Sequence, residues 1–244
     1  MCTVLLRFAP GTAWPVLLGA VRDEFVERPW DPPAAHWPDH PGFLGGRDRT
    51  AGGTWLAVDP DPRRPAVAAL LNGRPLPPIE GVRPSRGGLP LHVLTHPEPP
   101  ADLGRYDAFH LMRATPQRID VWSWNGTEAT HRILTPGDHV LVNDGVDADE
   151  DPLVPFVRPV LAHAATPDPR PGLPTAEAWT DWIGLLDGGD IDPTDPRALI
   201  VRHVHGDRVY GSTSVSLVGL GTAGVRYDFT ANPGKQAVWH EIKS

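Results

Sequence analysis

The sequence contains few residues of the types that build disulfide frameworks, bind polyanions or cross membranes. Its 244 residues include one cysteine, Cys2, which excludes an internal disulfide and favours a cytoplasmic location. Lysine occurs only at positions 235 and 243, the arginines are scattered and the net charge is −8, so nucleic-acid binding has little electrostatic support. No apolar run approaches the ~20 residues that a membrane-spanning helix requires.

Proline and glycine, in contrast, are abundant, with 30 and 25 residues. They are spread among apolar runs, which predicts a folded, loop-rich chain and not a disordered one. Loops are predicted at 30–46 and 73–90, and Asn125-Gly126 is a strong hairpin signal. Short apolar segments between turn residues predict strands at 3–8, 15–21, 54–58, 66–71, 108–113, 118–124, 128–134, 139–142, 199–204, 209–218 and 225–229. Two helices are predicted, one within 152–165 and one over about 175–186.

The order of these elements is strands, then helices, then strands again, with hairpin connections throughout. Such an order favours an α+β protein with antiparallel sheets over a parallel doubly wound one. Neither an internal repeat nor a linker is visible, so we expect one domain over residues 1–244.

Cys2 directly follows the initiator methionine, and this position suggests a specific chemistry. Removal of Met1 would expose an α-amine beside the thiol. An α-amine has an unperturbed pKa of ~7.7–8.0, so it can accept the proton of the thiol near neutral pH. One residue would then supply both nucleophile and base. The ordinary alternative is a cysteine that occupies position 2 by chance.

Arg22 and Asp23 follow the second predicted strand. If the first two strands pair, this end of strand two lies near Cys2. An arginine there can lower the pKa of the thiol, and the aspartate can hold the new ammonium group. The alternative is a surface ion pair at a strand end.

Asn72 and Asn143 each follow an apolar strand. A side-chain amide donates hydrogen bonds without adding charge, which suits stabilisation of an oxyanion. The alternative for both residues is a turn asparagine, which is common at strand ends and is favoured for either residue taken singly. His203 and His205 share one face of a predicted strand, but they lack a third ligand at suitable spacing, so no metal site is predicted.

Several motifs occur together in the order of one known family. They are Met1-Cys2, Arg22-Asp23-Glu24-Phe25 with Arg28-Pro29, Gly45-Gly46-Arg47-Asp48, Gly52-Gly53-Thr54-Trp55-Leu56, Leu71-Asn72, Leu134-Thr135-Pro136-Gly137, Asn143 and Tyr210-Gly211-Ser212. This pattern resembles the transport and Golgi organisation 2 family, also called the NRDE family after its Asn-Arg-Asp-Glu motif. The resemblance spans nearly the whole chain and is most specific in the first half.

The resemblance implies an N-terminal-nucleophile hydrolase-like fold, a four-layer αββα sandwich of two antiparallel sheets. It also implies a distant similarity to cysteine acylases that cleave non-peptide amides. Carried over to this chain, Cys2 is the expected nucleophile and Arg22 and Asp23 activate it. Asn72 and Asn143 are expected to stabilise the oxyanion or to hold the amine.

The sequence departs from the family at two positions. Val21 stands in place of the Asn of the NRDE motif, and Ser212-Thr213-Ser214 stands where the family usually has Thr-Arg-Thr, so the late arginine is missing. Two functions are therefore carried forward. One is a cysteine amidohydrolase that acts on a non-peptide amide or acyl substrate and requires no cofactor. The other is a non-catalytic protein on the same fold that binds or traffics haem or an acyl lipid, with Cys2 as an axial thiolate in the haem version.

Overall fold

A computed structural model describes residues 2–78, 82–222, 224–234 and 236–243. Met1, and with it the predicted removal of the initiator methionine, lies outside the described residues. The strands within them are β1 (Thr3–Phe8), β2 (Val16–Phe25), β3 (Trp30–Ala34), β4 (Leu44–Asp48), β5 (Leu56–Asp59), β6 (Ala66–Asn72), β7 (Phe109–Thr115), β8 (Arg118–Trp124), β9 (Ala129–Ile133), β10 (Gly137–Val142), β11 (Gly145–Val146), β12 (Arg202–His205), β13 (Arg208–Gly221), β14 (Gly224–Ala231) and β15 (His240–Glu241). The helices are α1 (Leu89–Thr95), α2 (Leu153–His163), α3 (Thr175–Trp179) and α4 (Asp181–Leu186), and a 3₁₀ turn (Arg86–Gly88) precedes α1.

The strands form two antiparallel sheets that pack face to face. The first has the order β11-β10-β1-β2-β13-β14-β15, with β12 paired to β13, and the second has the order β3-β4-β5-β6-β7-β8-β9. One apolar cluster fills the space between the sheets. A second lies between the first sheet and α2, α3 and α4, and a third lies between the second sheet and α1. The predicted α+β class with two antiparallel sheets is confirmed, and the layers follow the order αββα.

Strand β2 lies at the centre of the first sheet, and its sequence reflects burial on both faces. Because side chains alternate along a strand, Val16, Leu18 and Ala20 face the second sheet, whereas Leu17 and Val21 face the helices. The strand was predicted to end at Val21, but it continues through Phe25 because β13 pairs with it along its whole length. Arg22 and Asp23 therefore lie inside a strand and not beyond its end.

The predicted loop at 30–46 was wrong, because it contains β3 and the start of β4. Pro32 and Pro33 argued against a strand there. Proline cannot donate a hydrogen bond to a neighbouring strand, but an edge strand needs partners on one side only. Since β3 is the edge of the second sheet and pairs irregularly with β4, it accommodates both prolines.

The helix predicted within 152–165 is confirmed as α2, whereas the second helix prediction needs correction and one helix was missed. The helix expected at about 175–186 is broken into α3 and α4 at Thr180, which has a φ of 44°. The chain around Leu89, where α1 begins, was not predicted to be helical, but Pro90 is compatible with the first turn of a helix. In the described part of the chain, no helix is both long and apolar enough to span a bilayer.

A buried carboxylate anchors α3 to the first sheet. Asp228 on β14 is fully buried and accepts hydrogen bonds from Trp179 Nε1 (2.8 Å) and the Thr175 hydroxyl (2.5 Å). Arg226, two residues before it, donates through Nε (2.6 Å) and Nη2 (2.8 Å). Thr175 is the first residue of α3, so its bond to this carboxylate fixes the start of the helix on the sheet. Four donors satisfy one buried charge, so its loss would remove all four hydrogen bonds and leave Arg226 only the more distant carboxylate of Glu241 (3.3 Å).

We expect Asp228→Ala to lower the free energy of unfolding by about 3 kcal/mol or more, because breaking a buried ion pair costs far more than breaking an exposed one. The matched control is Asp149→Ala, which removes an exposed ion pair with Arg158 (2.9 Å) and should cost under about 1 kcal/mol. Urea unfolding followed by tryptophan fluorescence measures both values. Equal losses in the two variants would contradict this account.

Candidate active site

A polar cavity of about 460 Å³ opens at the end of the first sheet where β1 begins. The register of β1 and β2 pairs Thr3 with Val21, so Cys2 lies beside Arg22 and Asp23. All three residues line the cavity together with Asn72. Four of the five residues singled out by the sequence thus share one cavity, and the fifth, Asn143, is hydrogen-bonded to Cys2.

Cys2 is held through its backbone and its sulfur. Its backbone nitrogen donates to Asn143 Oδ1 at 3.0 Å, and its Sγ lies 3.8 Å from the backbone oxygen of Asp23. Desolvation by burial raises the pKa of the thiol, and the negative charge of Asp23 raises it further, while Arg22 opposes both effects. The thiol is therefore protonated near neutral pH and needs a base before it can act as a nucleophile.

Arg22 projects between the two sheets because it continues the inward-facing series of β2. Its side chain is 4% exposed, and its guanidinium lies 4.3 Å from the centroid of a Trp55 ring. Nη1 donates to the Thr213 hydroxyl at 2.9 Å, and Nη2 lies 3.8 Å from Asp48 Oδ2. Stacking, one hydrogen bond and one carboxylate together offset the cost of burying this cation.

Gly46, the second residue of the Gly45-Gly46 pair of β4, explains how Trp55 reaches Arg22. A Cβ atom on Gly46 would lie 2.3 Å from the Trp55 ring, so the indole occupies the space that any other residue would need. The motif noted in the sequence thus provides room for the aromatic surface on which Arg22 rests. The sequence did not reveal this role, because β4 and Trp55 approach Arg22 only when the two sheets pack.

Asp23 is a buried carboxylate, 5% exposed. Burial raises its pKa from an ordinary value of 3.8 to about 6, although a 2.6 Å hydrogen bond from the Ser212 hydroxyl and the charge of Arg22 both act in the opposite direction. The Tyr210 hydroxyl donates to the backbone oxygen of Asp23 at 3.1 Å. A proton acceptor with a raised pKa beside a nucleophile is a feature typical of functional sites.

A β-bulge in β13 supplies the hydroxyl groups of the site. The register shifts there, so that Ser212 pairs with Asp23 and Ser214 pairs with Arg22, and Thr213 is the additional residue. Ser212 donates to the Asp23 carboxylate, and Thr213 both accepts from the Arg22 side chain and donates to its backbone oxygen. In place of the arginine expected from the family, this segment has two hydroxyls that hold Arg22 and Asp23.

The two asparagines have different surroundings. Asn143 is tied into a chain of hydrogen bonds, since His110 Nε2 donates to its backbone oxygen at 3.0 Å and His110 Nδ1 lies 2.7 Å from the Ser123 hydroxyl. Burial lowers the pKa of His110, so the ring is neutral and accepts from Ser123. Asn72 lines the cavity, and its side-chain amide makes no hydrogen bond to any of the described residues. His110 and Ser123 were not singled out, because their sequence context is that of an ordinary strand.

His203 and His205 lie on β12, with ring centroids 6.3 Å apart. In the portion of the chain that the structure describes, there is no group of three or more histidine, cysteine or acidic residues that could hold a metal ion.

Comparison with known proteins gives the family of the chain. A family model described as transport and Golgi organisation 2 matches residues 1–157, which is more than half of the sequence. The chain belongs to this family. None of the curated proteins compared with this transport and Golgi organisation 2 protein matches it. The resemblance inferred from the motifs is confirmed, and the matched segment contains Cys2 and all four of the other candidate residues.

The site of this transport and Golgi organisation 2 protein also uses residues beyond the matched segment. Strand β13, which supplies Ser212 and Thr213, begins at Arg208, about fifty residues after the match ends. The pairing of β13 with β2 brings these hydroxyls to Arg22 and Asp23. Of the two departures from the family pattern, Ser212-Thr213-Ser214 therefore lies in the part of the chain that the family model does not match, whereas Val21 lies within the matched segment.

The raised pKa of Asp23 predicts a pH-dependent stability difference for Asp23→Asn. The folded state binds the Asp23 proton more tightly than the unfolded state, so this stabilisation is complete below the ordinary pKa of 3.8 and is lost as the pH rises through about 6. Asn does not ionise, so Asp23→Asn should gain about 3 kcal/mol over the native chain above pH 6, and the gain should vanish below about pH 4.

Urea unfolding at several pH values measures this difference. Asp149→Asn serves as the control, because Asp149 is an exposed residue, and its difference should stay near zero throughout. A difference for Asp23→Asn that does not change with pH would show that desolvation does not govern this carboxylate.

Proposed function

We propose that this protein is a cysteine amidohydrolase that cleaves a non-peptide amide or related acyl compound after removal of Met1. The observation that carries the proposal is the arrangement of Cys2, whose nitrogen donates to Asn143 and whose sulfur lies beside Asp23 and Arg22. After processing, that nitrogen is the α-amine. A nucleophile, a base and their orienting groups then lie within one polar cavity.

The raised pKa of the thiol supports a mechanism with a base on the same residue. As Sγ attacks the carbonyl carbon, the α-amine takes the thiol proton and becomes an ammonium group. Asn143 Oδ1 accepts from that nitrogen and orients it, and the Asp23 carboxylate stabilises the positive charge. The ammonium group then delivers its proton to the leaving nitrogen, which departs as an amine.

The remaining steps need only water. The carbonyl carbon is now bonded to sulfur as a thioester, and a water molecule attacks it, with the α-amine again accepting a proton. The carbon–sulfur bond breaks, the thiol is restored and the acid is released. Asn72 is the candidate for stabilising the oxyanion in both steps, because its amide has no hydrogen-bond partner among the described residues and lines the same cavity.

The alternative of a haem or acyl-lipid carrier draws less support from the cavity. Its lining is dominated by charged side chains, among them Arg22, Asp23, Arg28 and Asp48. A porphyrin or an acyl chain is held mainly by apolar walls. A more apolar groove of about 540 Å³ lies elsewhere, between α2, α4 and the segment that follows α4, but Cys2 does not line it. The carrier function therefore stays a prediction that the Cys2 cavity does not favour.

Intact-mass analysis and acylation test the proposal together. We expect the purified protein to lack Met1, and p-nitrophenyl acetate to add one acetyl group to Cys2 that water later removes. In Cys2→Ala the adduct should be absent, because the chain holds no other thiol. Retention of Met1 in active protein, or unchanged turnover of the ester by Cys2→Ala, would contradict the proposal.

The pH profile of the acylation rate should distinguish the roles of Asn72 and Asn143. Asn72→Ala should lower the acylation rate about 10²-fold without moving the profile, as expected for an oxyanion donor. Asn143→Ala should instead move the profile, because it removes an acceptor from the α-amine and so alters the pKa of that amine.

The matched control is Asn125→Ala, which changes a turn residue that accepts from the backbone of Thr127 and Glu128. It should leave both rate and profile unchanged. Identical effects of Asn72→Ala and Asn143→Ala would contradict the assignment of separate roles.

A further inference from the structure

Most of the charged side chains that line the cavity are paired with one another. Arg28 Nε lies 2.5 Å from Asp48 and 3.7 Å from Glu24, and Arg83 Nη1 lies 2.8 Å from Asp107. These pairs neutralise much of the charge of the lining, and they leave its carboxylates occupied.

Arg86 is different. Within the described part of the chain, its guanidinium makes one hydrogen bond, from Nη1 to the backbone oxygen of Ala108 (2.5 Å), and has no carboxylate within ion-pair distance. A guanidinium carries five N–H donors, so most of its hydrogen-bonding capacity is unused. The residue is half-buried and lines the same cavity as Cys2.

The backbone that carries Arg86 is fixed in position. The backbone nitrogen of Thr54 donates to the Gly87 oxygen at 2.8 Å, and Gly53 and Gly87 are in direct contact. A Cβ on Gly53 would lie 2.4 Å from the carbonyl carbon of Gly87, so the chains approach this closely only because Gly53 has no side chain. The second glycine pair of the sequence therefore serves to hold the Arg86 turn against the site.

Desolvation makes this cation receptive to an anion. Burial lowers the pKa of Arg86, while the negative charge of Asp107, and that of Cys2 when its thiol is ionised, raise it. Because arginine stays protonated in proteins, a bound anion would offset the desolvation free energy of its buried guanidinium. Carboxylate and phosphate groups match the planar fork of a guanidinium with two parallel hydrogen bonds.

We propose that Arg86 binds an anionic group of the substrate, so that the compound cleaved at Cys2 carries a carboxylate or a phosphate. The claim that the bound compound is cleaved rests on the proposed hydrolase function. The claim that an anion binds beside Cys2 does not depend on catalysis. Arg86 acts as a specificity-determining binding residue and takes no part in proton transfer.

Alkylation with two reagents tests this proposal, because Cys2 is the sole thiol of the chain. Iodoacetate and iodoacetamide react identically, with the thiolate displacing iodide, but only iodoacetate carries a carboxylate. The ratio of their rate constants should fall at least about threefold in Arg86→Gln, because the local cation that attracts the anionic reagent is lost. Arg86→Lys, which keeps the charge without the fork, should recover part of the ratio.

Arg63→Gln is the matched control, since it removes the same charge from an exposed ion pair with Asp61, outside the cavity. Its ratio should equal that of the native chain. An unchanged ratio in Arg86→Gln, or an equal fall in Arg63→Gln, would overturn the proposal.

Ligand-observed NMR provides a measurement that does not need a reactive thiol. Phenyl phosphate and phenylacetate are compared with neutral phenylacetamide on the native chain and on Arg86→Gln. We expect one or both anions to bind the native chain, with binding lost in Arg86→Gln, and the identity of the binding anion shows whether phosphate or carboxylate is preferred. Equal binding by the two proteins, or no preference for the anions over phenylacetamide, would overturn the proposal.

A Cys2 that neither iodoacetate nor iodoacetamide alkylates would count against the proposed hydrolase alone, because the NMR result still decides the role of Arg86.

Discussion

Strand β2 is paired with β13 along its whole length and with β1 over its first six residues, and the candidate site depends on these two pairings. The pairing with β1 sets Cys2 beside the point where β2 turns from apolar to charged. The pairing with β13 brings Ser212 and Thr213 to the same point from almost two hundred residues away. A slip of one residue in either register would turn Arg22 towards the helices and away from Trp55.

Burying the two charges at this point costs desolvation free energy, and the bulge and the glycine beside them provide the contacts that offset it. Arg22 and Asp23 are both almost fully buried, and their pKa values are displaced in opposite directions by desolvation. The bulge at Thr213 directs two hydroxyls at them, and Gly46 of β4 leaves room for the Trp55 ring on which Arg22 stacks. Buried charges of this kind lower the free energy of unfolding, and proteins retain them mainly where a functional site requires them.

Much of the fold followed from local patterns. Short apolar runs bounded by turn residues placed β1, β6 and β8 within a residue or two, because these strands lie inside a sheet and most of their residues are buried. Edge strand β3 escaped detection, since its prolines are tolerated only where one side needs no partner. The break between α3 and α4 at Thr180 also escaped, because nothing in the local sequence requires a positive φ at that residue.

The sequence by itself determined the family, the mixed class with antiparallel sheets and four residues that gather around Cys2, because motif order and the period of apolar residues are local properties. Only the tertiary structure decided which groups surround them. Trp55, Thr213 and Arg86 come from three separate segments, and each reaches the site through sheet packing, a shifted register or a contact between two glycines. Such contacts depend on long-range geometry, which no pattern of neighbouring residues encodes.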